Sequence, residues 1–474
     1  MGGGDLSNTR FQPAETAIGA HNASRLRAKW VFTTGGDVSA TPAVVAGAVY
    51  VPDWAGNLFK VDAATGAALW ARRIPDYTGV AASFARVTPA VADGVLYLGT
   101  QKGAWLLAVS AATGELLWKT LLDPHRAANV TQSAVVHGGR VYVGVASDEE
   151  FSAALPGYRC CTFRGSVVAV DAATGGVVWR TYTTPENGGA PRGWSGVAVW
   201  GSTPVVDGPR GLLYVTTGNN YSVPAGTSGV PADNHVDAVM ALELQTGAVR
   251  WSSKMQGPDA WNVACEPFPR RNCPDPSGPD YDFGQGAVAF TIAGPDGPRP
   301  LLGAGQKSGI YWAFDPATGQ VAWSAIVGPP GVRGGMQWGS ATDGRRIYAA
   351  AANSDRQTMT LPSGETTTGG AFTALDTVSG EVLWQTALPR RGLALGPMTV
   401  ANGVVYGGSM ARRGANMFAL DAANGQILWR FASGGSVVSG PAIAGGTVYW
   451  GSGYSKLGQG RRNNKLYAFT VGGR

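Results

Sequence analysis
The feature that most restricts this chain is a hairpin unit written several times over. Val168 to Trp179 reads Val-Ala-Val-Asp-Ala-Ala-Thr-Gly-Gly-Val-Val-Trp: an apolar run reaches an Asp, bends to a Gly, and leaves on a second run ending in Trp. An Asp side chain accepts hydrogen bonds from turn amides, and Gly supplies the positive φ of a tight bend. The spacing returns at Asp62, Gly66, Trp70; Ser110, Gly114, Trp118; Glu243, Gly247, Trp251; Asp315, Gly319, Trp323; Asp376, Gly380, Trp384; and Asp421, Gly425, Trp429. An eighth copy is split between the termini. Leu466 to Val471 supplies its rising strand, and Trp30 supplies a Trp strand with no hairpin before it. A repeat halved across both ends predicts a ring: an all-β, eight-bladed β-propeller with Trp-docking repeats, closed by pairing of N- and C-terminal strands in one blade. On this reading residues 1–474 form one domain, because a single blade cannot bury both its faces and repetition overrides the prior of several domains set by length.

Each unit also opens with a segment of the form Pro-Ala-Val-X-X-Gly-X-Val-Tyr, as in Thr41 to Val51, Thr88 to Leu98 and Pro441 to Tyr449. Two short apolar runs about a Gly-containing turn make a second hairpin, hence four strands per blade. The fifth unit, Phe283 to Leu302, is the least regular. The repeat tryptophans lie 40, 48, 61, 72, 72, 61 and 45 residues apart, so the insertions fall in the middle of the chain. Asp148 to Tyr158, Pro185 to Trp194, Tyr221 to Asp233, Cys265 to Asp282 and Asp355 to Thr368 are too polar and Gly/Pro-rich for a core. Such loops gather at one mouth of a propeller channel, where a ligand sits. The eight repeat tryptophans read as wedges between blades, each with an N–H for a carbonyl; Trp200, Trp261 and Trp338 lie outside the pattern.

Composition narrows the partners. The net charge of +6 is spread over basic residues that never run longer than two, which argues against nucleic acid and leaves room for a weakly acidic protein partner. No stretch of about 18 apolar residues is present to span a membrane. The four cysteines fall into two local pairs, Cys160 with Cys161 and Cys265 with Cys273. An even count at short spacing suggests disulfides and an oxidising compartment, although four cysteines allow three connectivities. The start, Met-Gly-Gly-Gly-Asp, has no charged and apolar leader and reads as a processed or trimmed end. Asn22, Asn129 and Asn220 begin glycosylation sequons, relevant only in a host that uses them.

Several chemistries drop out. The four histidines lack metal-ligand spacing, and there is no Gly-X-Ser-X-Gly elbow, no phosphate-cradling loop and no CXXCH haem attachment. What remains is an acidic and amide set in the swollen blades: Glu149, Glu150, Asn219, Asn220, Asp280 and Asp282. Hard oxygen donors from separate loops suit calcium.

Gly3-Gly4-Asp5-Leu6-Ser7-Asn8-Thr9-Arg10, the Trp repeat and the adjacent cysteines resemble the pyrroloquinoline quinone (PQQ) dependent alcohol dehydrogenases, which are eight-bladed propellers. Cys160-Cys161-Thr-Phe-Arg-Gly-Ser, Val199-Trp200-Gly-Ser, Thr217-Gly-Asn219, Asp280-Tyr-Asp282-Phe-Gly and Gln306-Lys307-Ser-Gly are similar to the polyvinyl alcohol dehydrogenase branch. The resemblance implies oxidation of an alcohol with PQQ and calcium, the electrons passing to a separate acceptor such as a cytochrome c, in a periplasmic or extracellular setting. It implies Glu150, Asn219 and Asp282 as the calcium set and Asp282 as general base. Lys307 matches the cation beside the quinone oxygens, and Trp200 the floor under the cofactor plane. Arg86, Thr131 and Ser147, with Gln337 and Trp338, match further cofactor contacts, and Cys160–Cys161 a vicinal disulfide capping the quinone. Two departures stand out: the cysteine pair lies one blade late, Ala81 and Ala82 occupying the family position before Arg86, and Ser39 and Ala40 stand where a Glu is common. The rival expectation is a non-catalytic propeller, a scaffold or binding module that keeps the fold alone.

Overall fold
The computed structural model describes residues 2–473 except 256, 268, 269 and 296, with the side chain of residue 457 also outside the description. Eight antiparallel sheets follow one another around a ring. The first holds Ala43–Val45, Ala48–Pro52, Asn57–Asp62 and Ala68–Arg73. The next six repeat that up-and-down order, ending with Thr399–Ala401, Val404–Gly408, Met417–Asp421 and Ile427–Phe431. The eighth closes the ring as the split repeat requires. Ala442–Ala444, Thr447–Ser452 and Lys465–Val471 come from the C-terminal end, and Leu26–Thr33 adds the outermost strand. Leu26 pairs with Val471 and Thr33 with Lys465.

The Asp–Gly–Trp unit explains how blades adhere. Asp62 Oδ1 accepts the amides of Ala64 and Thr65, which fixes the turn. That turn presents the Ala63 carbonyl to the preceding blade, where Trp30 Nε1 donates to it at 3.1 Å. Every repeat Trp does the same: Trp70 to Ala111, Trp118 to Ala172, Trp179 to Leu244, Trp251 to Pro316, Trp323 to Thr377 and Trp384 to Ala422. Trp429 completes the circle on Leu26. The Tyr of the other hairpin shares the acceptor, as when Tyr50 and Trp70 both reach Ala111. The turn Gly is required twice over. Gly66 has φ +76°, and a Cβ there would lie 2.7 Å from the Trp30 ring, so any side chain would push the two blades apart.

The fifth blade is irregular as expected, its first hairpin lengthened to Val288–Gly294 and Gly297–Gly305. Outside the ring, residues 2–12 cross the ends of four successive innermost strands. The amides of Val206, Ala289, Thr342 and Val400 donate to the carbonyls of Leu6, Ser7, Thr9 and Arg10. Among the described residues no helix is long and apolar enough to cross a membrane.

Candidate active site
A cavity of about 380 Å³ opens at one end of the ring, and the segments leading into the innermost strands build much of its wall. Arg86, Thr131, Trp200, Asp282 and Gln337 each precede the first strand of a blade. Glu150 stands on the short helix Glu149–Ser152, and Lys307 in the turn between Gly297–Gly305 and Ile310–Phe314.

The backbone brings the chemistry together. Lys307 N donates to the carbonyl of Asp282 at 2.9 Å, which ties the two segments. Asn219 N donates to Asp282 Oδ1 at 2.7 Å. The approach is so close that a Cβ on Gly218 would lie 2.8 Å from Asp282 Oδ1, which accounts for the Gly in Thr217-Gly-Asn219. Asp280 takes a left-handed φ of 60°, so that carboxyls two residues apart both reach Lys307. Lys307 Nζ lies 2.8 Å from Asp280 Oδ1 and 3.0 Å from Asp282 Oδ2. Trp200 Nε1 donates to Asp282 Oδ2 at 2.9 Å, and the ammonium sits 5.5 Å from the Trp200 ring centre. Trp200 is in turn held edge-on by Trp338, with ring centres 5.3 Å apart.

Two buried carboxyls, Asp280 and Asp282, share this one ammonium, and the half-buried Glu150 acts on it from farther off. Burial would lower the Lys307 ammonium, but Asp280, Asp282 and Glu150 outweigh it and hold the group above its ordinary value. Burial pushes Glu150 up to about 7, aided by Asp282 and opposed by Lys307. Asp280 is likewise raised well above the carboxylate range, by burial first and then by Asp282, against the pull of Lys307. The cluster holds more acid than one lysine can keep ionised, a deficit that a divalent cation would make good.

The donors suit such an ion in kind. Both hydrogens of the Asn219 amide go to carbonyls, those of Asn220 and Trp261, so its oxygen is turned away from them. They do not form a finished cage: among the described residues no three His, Cys, Asp or Glu side chains converge as a ligand set. The residues fit a flat anionic cofactor as well. Arg86 lines the cavity with no carboxylate partner among the described residues and lies 4.7 Å from the Trp338 ring centre. An arginine stacked in this way has its N–H fork free for a carboxylate.

Of the residues singled out in the sequence, Glu150, Asp282, Lys307, Trp200, Arg86, Thr131, Ser147, Gln337 and Trp338 line one cavity. Asn219 lies one step behind, in contact with Asp282. Cys160 and Cys161 are joined to each other, and Cys265 to Cys273, but the vicinal pair is not on the cavity wall. The pair packs in the core with Phe163, Tyr221 and Ala264. The reason is Glu149: its carboxylate accepts the amides of Thr162 and Phe163 and the hydroxyl of Tyr158, drawing the cysteine segment behind the helix that carries Glu150. Sequence reasoning named Asp280 in the acidic set and Trp261 outside the repeat without giving either a place on the wall, and it missed Tyr221, Asp148 and Lys456 there. Asp280 was visible in Asp280-Tyr-Asp282; the turn that aims both acids at Lys307 was not.

A closed eight-bladed ring with an acidic, cation-bearing pocket at one mouth defines a propeller of the quinoprotein type. A family model described as "Outer membrane protein assembly factor BamB" matches residues 14–236, 164–264 and 306–469. The polyvinylalcohol dehydrogenase of a Pseudomonas sp is 31% identical over 100% of this chain and 76% of its own length. That of Sphingopyxis sp. (strain 113P3) is 32% identical over 99% and 76%. The quinohemoprotein alcohol dehydrogenase of Comamonas testosteroni superposes with a TM-score of 0.76 at 21% identity, covering 100% of this chain and 80% of that one, a likeness of fold. The chain belongs to the PQQ-dependent alcohol dehydrogenases, oxidoreductases acting on CH–OH, on their polyvinyl alcohol dehydrogenase branch.

Proposed function
We propose that this protein oxidises a secondary hydroxyl, on a small alcohol or a polyvinyl alcohol-like polymer, with PQQ and calcium, and hands the electrons to a separate acceptor such as a cytochrome c. One observation carries the reading: a buried ammonium bridges two carboxylates over the face of an indole at the cavity wall. When bound, PQQ supplies the two-electron, hydride-accepting carbonyl, and calcium the charge that polarises it. Glu150, Asn219 and Asp282 would hold the ion, and Trp200 the cofactor plane. Arg86, Thr131, Ser147, Gln337 and Trp338 would line the rest of the cofactor site. Lys307 would supply the positive charge that favours the reduced, negatively charged form of the cofactor. Asp282 accepts the hydroxyl proton of the alcohol while the C–H bond breaks, which leaves a carbonyl product. Three donors, Asn219 N, Trp200 Nε1 and Lys307 Nζ, fix that carboxylate in place.

A second assignment of the base has its own support. Lys307 occupies only Oδ1 of Asp280, and no hydrogen bond to Oδ2 is made among the described residues, so Asp280 has the freer oxygen at the wall. Protein reconstituted with PQQ and calcium, then given a dye acceptor and a panel of primary and secondary alcohols, tests the reaction. A spectral change on adding PQQ without dye reduction would sink the oxidation while leaving the cofactor site. Comparing Asp280→Asn with Asp282→Asn decides which acid is the base. The two disulfides fit an oxidising compartment, periplasmic or extracellular.

A further inference from the structure
Below the cavity the ring encloses a narrow axial channel of about 40 Å³ that shares Arg86, Thr131 and Trp338 with the cavity wall. Following each innermost segment away from the cavity leads into it, from Arg86 to Thr88, from Thr131 to Ser133 and from Trp200 to Ser202. Its far part is lined by Arg10, from the N-terminal segment that crosses the strand ends. Arg10 is 7% exposed. One of its donors reaches the Gly2 carbonyl, while its Nε is buried with no partner. Among the described residues no carboxylate is paired with it. Asp5, the one acid acting on it, spends both oxygens on Thr9. Burial lowers the guanidinium to about 10, far enough above neutrality that the charge stays. A buried cation with neither a counter-charge nor a full set of acceptors is costly, and native interiors supply one.

The other side chains of the channel show which partner is missing. Ser39 Oγ accepts from Trp54, Ser133 Oγ from the amide of Thr88, and Ser202 Oγ from the amide of Gly286. Each oxygen is thus used as an acceptor, which leaves its O–H to point elsewhere. Two guanidinium groups and these hydroxyls offer donors, and no side-chain carboxylate lines the space. Water needs acceptors as well as donors; an anion needs donors alone. The volume suits an atom-sized ion with on the order of two waters beside it.

We propose that the channel is a binding site for a small monovalent anion of chloride size, held between Arg10 and the serine hydroxyls under the cofactor cavity. The ion neutralises Arg10 and locks the N-terminal segment to the ring. Crystals of the protein without added cofactor, soaked in sodium bromide, should give an anomalous peak in the channel beside Arg10. Thermal unfolding in chloride or bromide, against equal ionic strength of a bulky organic sulfonate, should show a midpoint that rises with the logarithm of halide. Arg10→Gln should lose that dependence and at least tenfold of the bromide occupancy. If the variant fails to fold, the peak in the unaltered protein still decides. A channel without bromide overturns the proposal, and so does bromide displaced when PQQ is added, because the occupant would then be a cofactor carboxylate. Neither readout needs turnover, so the dehydrogenase reading stands or falls separately.

Discussion
The molecule uses tryptophan in two ways, and the contrast separates its scaffold from its chemistry. The eight repeat indoles donate to neutral carbonyls of the next blade, and in seven of them the ring presses on a turn Gly there. Trp200 donates to a carboxylate, lies beneath an ammonium and is held edge-on by Trp338. A neutral acceptor at a turn does the same work in every blade and therefore repeats. A carboxylate acceptor between a lysine and two other acids occurs once. Changes to the first set should cost stability and leave each folded molecule active, while changes to the second should do the reverse.

The contrast breaks most severely at Asp282. Asp282→Asn keeps the shape and most of the hydrogen bonds, and should lower kcat by about 10²–10⁴-fold with the melting point little changed. Dye reduction at the unaltered rate would end the case for Asp282 as base, and the same test on Asp280→Asn finds its replacement. Lys307→Met straddles the two sets, for it strips two buried carboxylates of their shared partner. We expect a stability loss of about 3–5 kcal/mol, measured by denaturant unfolding, partly restored by calcium. Calcium without effect on the variant would show that the cluster is not an ion site. On the scaffold side, Trp384→Ala deletes a 7%-exposed indole and its bond to Ala422, with an expected cost of about 3–5 kcal/mol. Turnover per folded molecule should match the parent. A fall in that turnover would mean that the ring transmits strain to the cavity.

The acids of the cavity should also give a pH signature that the repeat carboxylates lack. In the metal-free protein Glu150 is raised to about 7, so the folded state holds its proton more tightly than the unfolded chain does. Stability from this group is therefore present at low pH and is lost as pH rises towards 7. Calcium reverses the sign, since it requires the carboxylate. Its apparent affinity should rise about tenfold per unit up to pH near 7 and then level off, read by titration calorimetry. Asp62, whose hydrogen bonds from Thr65 lower it, has no such dependence to contribute in that range. A flat affinity profile would remove Glu150 from the ion set.

How far the sequence could be read follows the same division. Asp–Gly–Trp spacing is local, so strand order, blade number and closure through Trp30 and Leu466 to Val471 were legible from residues alone. Nine of the ten expected wall residues outside the cysteine pair meet at one cavity because the loops that carry them hang from that ring. Asp280 was named among the acids but its role was hidden, because that role depends on a left-handed backbone turn, a property of three dimensions. Arg10 was visible within the N-terminal motif but not its solitude, since burial without a counter-charge depends on strands hundreds of residues away.

The setting of the cysteine pair was hidden for a related reason. Adjacency announced a vicinal disulfide, yet nothing in Cys160-Cys161-Thr162-Phe163 says which side of the Glu150 helix the segment takes. Glu149 decides that, by capturing the amides of Thr162 and Phe163. If the pair braces the helix from behind, Cys160→Ser with Cys161→Ser should leave PQQ affinity within about threefold, under 1 kcal/mol by the usual conversion. Glu149→Gln should loosen the helix and weaken calcium more than it weakens PQQ. A large loss of PQQ affinity in the double serine variant, with calcium binding intact, would return the disulfide to the cofactor's side.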